Sequence, residues 1–256
     1  MNRIQNLVDD ALDWSAIPAP SVELPLTSTC SPSGPTHCLF TPEHYEANYA
    51  YPLIVWLHGP DDDERQVAQV MPLVSLRNYV AVGPRGTDAA ESGIGYQWSQ
   101  NADGVAEAER RVMAAVAAAR RAFNIAPGRI YLAGYDCGGT MALRIALNQP
   151  RWFAGVLSIS GAFPTTGRPL ARLNELRGSE IFLATGRHSK QYPEHEVCRT
   201  LRLLHAAGMS VNLRQYPCDD EVTSDMLADM DRWIMEQVSS LQPAAASQQG
   251  HYSRRK

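Results

Sequence analysis

Residues 134–139 read Gly-Tyr-Asp-Cys-Gly-Gly, directly after the apolar run Arg129-Ile130-Tyr131-Leu132-Ala133. Residues 139–148 follow with helical character, carrying Met141, Leu143, Ile145 and Ala146. A strand that becomes a helix within so few residues needs a sharp corner. Small residues on either side of the corner let helix and strand pack closely, and the residue between them stands clear of the backbone. Gly134 and Gly138 supply that frame. Asp136, a carboxylate, stands at its tip.

The rest of the chain alternates in the same way. Residues 52–57 (Pro-Leu-Ile-Val-Trp-Leu) form a continuous apolar run, the pattern of a strand buried on both faces. Residues 79–82, 130–133, 154–159, 180–184 and 211–216 read as further strands. Helices are predicted over 63–76, 104–123, 139–148, 194–207 and 223–241. In the second of these, Val105, Ala108, Val112, Ala115, Val116 and Ala119 make one stripe. Alternating strands and helices imply an α/β fold with a mostly parallel central sheet covered on both faces. Residues 22–30 and 37–41, joined by Ser31-Pro32-Ser33-Gly34-Pro35, read as an antiparallel N-terminal hairpin at one edge. The expected organisation is an N-terminal extension over 1–20, a single domain over 21–241 and a disordered tail over 242–256.

Composition removes several function classes. The formal net charge of −4 gives no basic field for nucleic acid, and Arg254-Arg255-Lys256 is too short a cluster to supply one. No apolar run reaches membrane-spanning length, so no membrane span is expected. Asp9, Asp10 and Asp13 interrupt any signal-peptide core, and the expected location is the cytoplasm. The five cysteines, at 30, 38, 137, 198 and 218, have no disulfide-framework or zinc spacing. Cys30 and Cys38 face each other across the predicted hairpin, and a cytosolic setting favours the reduced pair.

Several landmarks occur in a fixed order: Leu57-His58-Gly59 after a strand, Gly83-Pro84-Arg85-Gly86 after the next, then Trp98, the corner at 134–138, Ser160-Gly161, residues 186–193 and residues 216–223. Over about residues 36–241 this order resembles the phospholipase/carboxylesterase family of α/β-hydrolases, which includes the acyl-protein thioesterases. The resemblance implies an α/β-hydrolase fold and a Ser-Asp-His triad. Its nucleophile sits in Gly-x-Ser-x-Gly, its acid in Gly-x-x-Asp-x-x-Val-Pro and its base in Gly-His-Glu before the last helix. The matching positions here hold Asp136, Ser189 and Asp220. All three expected identities are replaced. No other Gly-x-Ser-x-Gly occurs, and no histidine lies between His205 and His251.

Acyl transfer needs an oxygen nucleophile, a base to take its proton and a group that orients the base. The leading expectation is therefore a pseudo-hydrolase that binds a small molecule, an acyl ligand or an unidentified protein partner, with no cofactor and no metal. One alternative is a hydrolase that uses Asp136 as nucleophile, with His188 or an unplaced group as base. Aspartate nucleophiles attack saturated carbon, however, and residues 162–178 leave little room for the cap domain of such enzymes. A purely structural domain is the third reading.

Four residues match the family's anion hole: Gly59, Pro60, Asp61 and Cys137. In this chain Asp136 itself is expected to fill that hole from the protein side, at a helix N-terminus. Asp136 and Asp220 should lie close enough to share a proton, and this is favoured over a cation site. His58 is expected to shape the oxyanion loop. Tyr96 and Trp98 are read as cleft-lining or as core. Asp61-Asp62-Asp63-Glu64 is read as a charge cluster at the start of a helix or as a cation site.

Overall fold

The computed structural model of the protein describes residues 36–240. The expected extension over 1–20, the hairpin strand over 22–30, Cys30 and the tail over 242–256 lie outside the described residues.

Seven strands form one sheet in the order β1-β3-β2-β6-β7-β8-β9. These are β1 (His37–Phe40), β2 (Tyr51–Leu57), β3 (Val80–Pro84), β6 (Ile125–Tyr135), β7 (Gly155–Ile159), β8 (Glu180–Gly186) and β9 (Ser210–Tyr216). From β3 to β9 every neighbouring pair is parallel. Edge strand β1 runs antiparallel to β3, pairing His37 with Pro84 and Phe40 with Ala81. The predicted antiparallel edge is therefore present, with β3 as partner of its described half.

The continuous apolar run of β2 has a simple cause. Leu53, Val55 and Leu57 point into one core with α2 (Ala102–Ala122), α3 (Cys137–Asn148) and α5 (Glu194–Ala206). Ile54 and Trp56 point into the other, with α1 (Gln66–Val74) and α6 (Ser224–Ser240). Period-two alternation sends successive side chains to opposite faces, and both faces here are covered.

Three local features depart from the sequence reading. Strand β6 starts at Ile125, because Ile125 pairs with Tyr51 across a register shift that absorbs the exposed Pro127-Gly128 bend. Helix α1 starts at Gln66 instead of residue 63. The acidic residues before it take loop partners: Asp62 accepts from the Gln66 amide at 2.7 Å, and Asp61 accepts from the Ser92 hydroxyl at 2.6 Å. The two-residue ribbon of β4 (Asp88–Ala89) and β5 (Tyr96–Gln97) and the short α4 (Leu173–Leu176) carry no apolar periodicity that a sequence pattern could register.

All parallel strands end on the same side of the sheet. Asp136 follows β6, Ser160 follows β7, Ser189 follows β8 and Asp220 follows β9 on that side. Ligands of open α/β sheets bind beyond the carboxyl ends of the strands.

Candidate active site

Asp136 caps α3 with φ 49° and ψ −117°, a backbone conformation unfavourable for a residue with a Cβ. Its N–H donates to the Ile159 carbonyl at 2.9 Å, which pins the corner to β7. The carboxylate is half-buried, with the Gln191 side chain and the Cys137 N–H near it. Burial raises its pKa above the ordinary carboxylate value. The nearby Asp220 charge raises it further, and the opposing influence of Gln191 and the Cys137 N–H does not offset the rise.

Asp220 lies opposite, held by the loop after β8. The Ser189 hydroxyl donates to Asp220 Oδ1 in a short hydrogen bond. The Lys190 N–H donates to Oδ2 at 3.2 Å, and Tyr135 Oη donates to the Asp220 carbonyl at 2.9 Å. Ser189 in turn accepts from the Tyr192 N–H at 2.9 Å. Ser189 and Asp220 thus meet, and the Asp220 charge reaches Asp136, although no hydrogen bond joins the two carboxylates. His188 does not join them. Its side chain is exposed, and its backbone N–H goes to the Cys218 carbonyl at 3.0 Å.

His58 is 1% exposed. Its Nδ1 lies 2.7 Å from the Gly59 carbonyl, and its Nε2 accepts from the Gly86 N–H at 2.9 Å. The ring must therefore be the Nδ1–H tautomer, with both nitrogens occupied. Burial lowers its pKa, which keeps it neutral. It ties the loop after β2 to the loop after β3. Trp98 is 3% exposed and donates its indole N–H to the His58 carbonyl at 3.0 Å. Tyr96 is half-buried, with the Arg85 guanidinium 4.6 Å above its ring. Arg85 is held bidentately by the buried Glu64, at 2.7 and 2.6 Å.

Two of the four expected anion-hole residues offer no free N–H. The Gly59 N–H donates to Gln66 Oε1 at 3.1 Å. Pro60 has no N–H, Asp61 has φ 59°, and the Cys137 N–H lies beside the Asp136 carboxylate. The Cys137 thiol is pushed up to about 12, chiefly by burial. Among the described residues no three His, Cys, Asp or Glu side chains converge to hold a metal ion.

The Phospholipase/Carboxylesterase family model matches residues 45–237. The chain belongs to the phospholipase/carboxylesterase family. It is similar in fold to a Bacillus cereus carboxylesterase, with TM-score 0.66 and 16% identity over 80% of this chain and 96% of that one. It is also similar to SOBER1 of Arabidopsis thaliana, with TM-score 0.62 and 19% identity over 74% and 100%. These likenesses establish an α/β-hydrolase fold. A 44-residue stretch is 46% identical to NocK of Nocardia uniformis subsp. tsuyamanensis, spanning 17% of this chain and only 13% of that protein's length.

Within this family frame, sequence reading named Asp136, Ser189 and Asp220 and missed two glutamines. Gln191 reaches Asp136 from the loop that carries Ser189, and its only sequence signal was that neighbourhood. Gln66 takes the Gly59 amide and the Trp56 indole N–H, the latter at 2.8 Å, and had no signal.

One prediction follows from the raised Asp136 pKa. The folded protein holds this proton more tightly than the unfolded chain, so protonation stabilises the fold. That contribution is complete below the unfolded value of about 3.9 and is lost as pH rises through the higher folded value. Asp136→Asn lacks the titration. Its stability relative to wild type should therefore climb with pH across this window. Urea unfolding at a series of pH values upward from about 4 reads the difference; a flat difference contradicts the assignment.

Proposed function

We propose that the protein binds a small molecule at the carboxyl edge of its sheet without hydrolysing it. One observation carries the reading: the positions of nucleophile, acid and base hold a closed acidic set instead of a proton-transfer relay. The Ser189 hydroxyl is spent on Asp220, and the Asp136 carboxylate has Gln191 and the Cys137 N–H beside it. Neither nearby imidazole supplies a base, since His58 is buried with both nitrogens occupied and His188 is exposed.

On the aspartate-nucleophile reading, Asp136 would first form an ester with its substrate. A covalent ester, once formed, would lack the base that activates water.

A groove of ≈ 430 Å³ borders this set through Gln191. Phe163, Pro164, Tyr192 and Leu203 give it an apolar wall, and Gln191 and Thr200 give it polar groups. That size and mixture suit a short acyl or similar apolar body with one polar end.

The test is turnover of short-chain p-nitrophenyl esters, epoxides and haloalkanes, with Asp136→Asn as reference. We expect no difference between the two proteins and no labelling by a fluorophosphonate probe. Octanamide, as a probe of the groove, should raise the melting temperature of the wild type but not of Leu203→Asp. Turnover that disappears in Asp136→Asn would overturn the proposal.

A further inference from the structure

A second cavity, of ≈ 410 Å³, opens between the start of α2, the middle of α3 and the loop at 166–167. Arg144 lies in its wall, on α3 about 12 Å along the helix axis from Asp136. Arg144 is only 7% exposed. Its Nε donates to Gln100 Oε1 at 3.1 Å, its Nη1 to the Thr166 carbonyl at 2.7 Å and its Nη2 to Thr166 Oγ1 at 3.1 Å. All three acceptors are neutral. Among the described residues no carboxylate pairs with this guanidinium. Burial pulls its pKa down, and no neighbouring charge offsets that effect.

A structural clamp explains only part of this arrangement. Three neutral acceptors do tie the loop at 166–167 to α3. A clamp needs no permanent cation, though, and a buried cation without a counter-charge carries a desolvation penalty that neutral acceptors do not repay. The guanidinium also has more N–H donors than these contacts use. Other donors converge on the same space. Asn101 spends its Oδ1 on the Gly104 N–H at 2.7 Å, which leaves its amide NH₂ at the cavity. The first turn of the 21-residue helix α2 opens there as well, through Ala102. The Thr166 hydroxyl, an acceptor from Arg144, keeps its own proton to donate.

We propose that this cavity binds a small oxyanion, the carboxylate or phosphate group of a metabolite, with Arg144 as its counter-ion and Asn101 and Thr166 as flanking donors. The site stands apart from Asp136 and does not depend on the fate of the triad positions. Its logic is that of guanidinium recognition of planar or tetrahedral oxyanions, in a place where low exposure strengthens the interaction.

The experiment uses the full chain at low ionic strength. Thermal unfolding and calorimetric titration are followed with inorganic phosphate, with malonate and with sodium chloride at matched ionic strength. A saturable response to phosphate or malonate, absent with chloride, is expected. A response to phosphate alone assigns a phosphoryl group, and one to malonate alone assigns a carboxylate group. Arg144→Met should weaken binding at least about tenfold. Because that substitution strikes a buried position, Thr166→Val serves as the second variant; it spares the backbone carbonyl and should weaken binding several-fold. No saturable response in the wild type, or an undiminished one in whichever variant folds, overturns the assignment.

Discussion

The triple variant Asp136→Ser, Ser189→Asp, Asp220→His is expected to hydrolyse p-nitrophenyl butyrate at least about a hundredfold faster than the wild type. The frame it needs is already built. The side chains of residues 189 and 220 meet in a hydrogen bond, so a carboxylate and an imidazole placed there are within reach of each other. The charge of residue 220 is felt at residue 136, so an imidazole at 220 is expected to lie near the new hydroxyl. Removing the Asp136 carboxylate also frees the Cys137 N–H for a developing oxyanion. The gain should nevertheless stay well below that of an evolved esterase. The Gly59 N–H remains tied to Gln66, and loss of one oxyanion donor typically costs about 10²–10³ in rate. Asp136→Ser alone should remain inactive, because the base position would still hold a carboxylate. Activity equal in the single and triple variants would refute the claim that the base is what this site lacks.

The fold was legible in the sequence because its signals are local and repeated. Each parallel strand is buried on both faces, so each reads as a short apolar run, and each helix carries its own stripe. The corner at 134–138 and the ordered glycines then fixed the strand-to-helix connections. Elements without a buried face escaped: β4, β5 and α4 offer no periodic pattern. The candidate site divides in the same way. Asp136, Ser189 and Asp220 could be placed because each sits at a fixed distance from a landmark. Their partners could not, because Gln191 to Asp136 and Gln66 to Gly59 are contacts across loops, and nothing in a glutamine's neighbourhood announces one. Arg144 shows the same limit from the other side. It lies on an apolar helix, where an arginine would be expected to reach solvent, and only the loop at 166–167 makes it a buried cation.

Gly138→Ala is expected to destabilise the protein by about 3 kcal/mol or more, a large part of a typical domain's stability, while Asp136→Gly should change stability by no more than about 1 kcal/mol. A Cβ on Gly138 would press on the Leu57 and His58 carbonyl oxygens, and one on Gly134 would press on the backbone of Gly138 itself, all closer than 3.0 Å. These neighbours are main-chain atoms of β2 and of the α3 start, so they cannot swing aside as a side chain would. At the tip the balance is different. Glycine would relieve the unfavourable backbone angles of residue 136 and end the repulsion from Asp220, at the loss of the carboxylate's favourable interaction with Gln191 and the Cys137 N–H. Chemical denaturation of the two variants distinguishes these outcomes, and comparable losses would contradict the argument. The two flanking glycines are required by the close approach of α3 to the sheet, whether or not the tip performs chemistry. The presence of such a frame in a chain therefore argues for the fold and not for the activity.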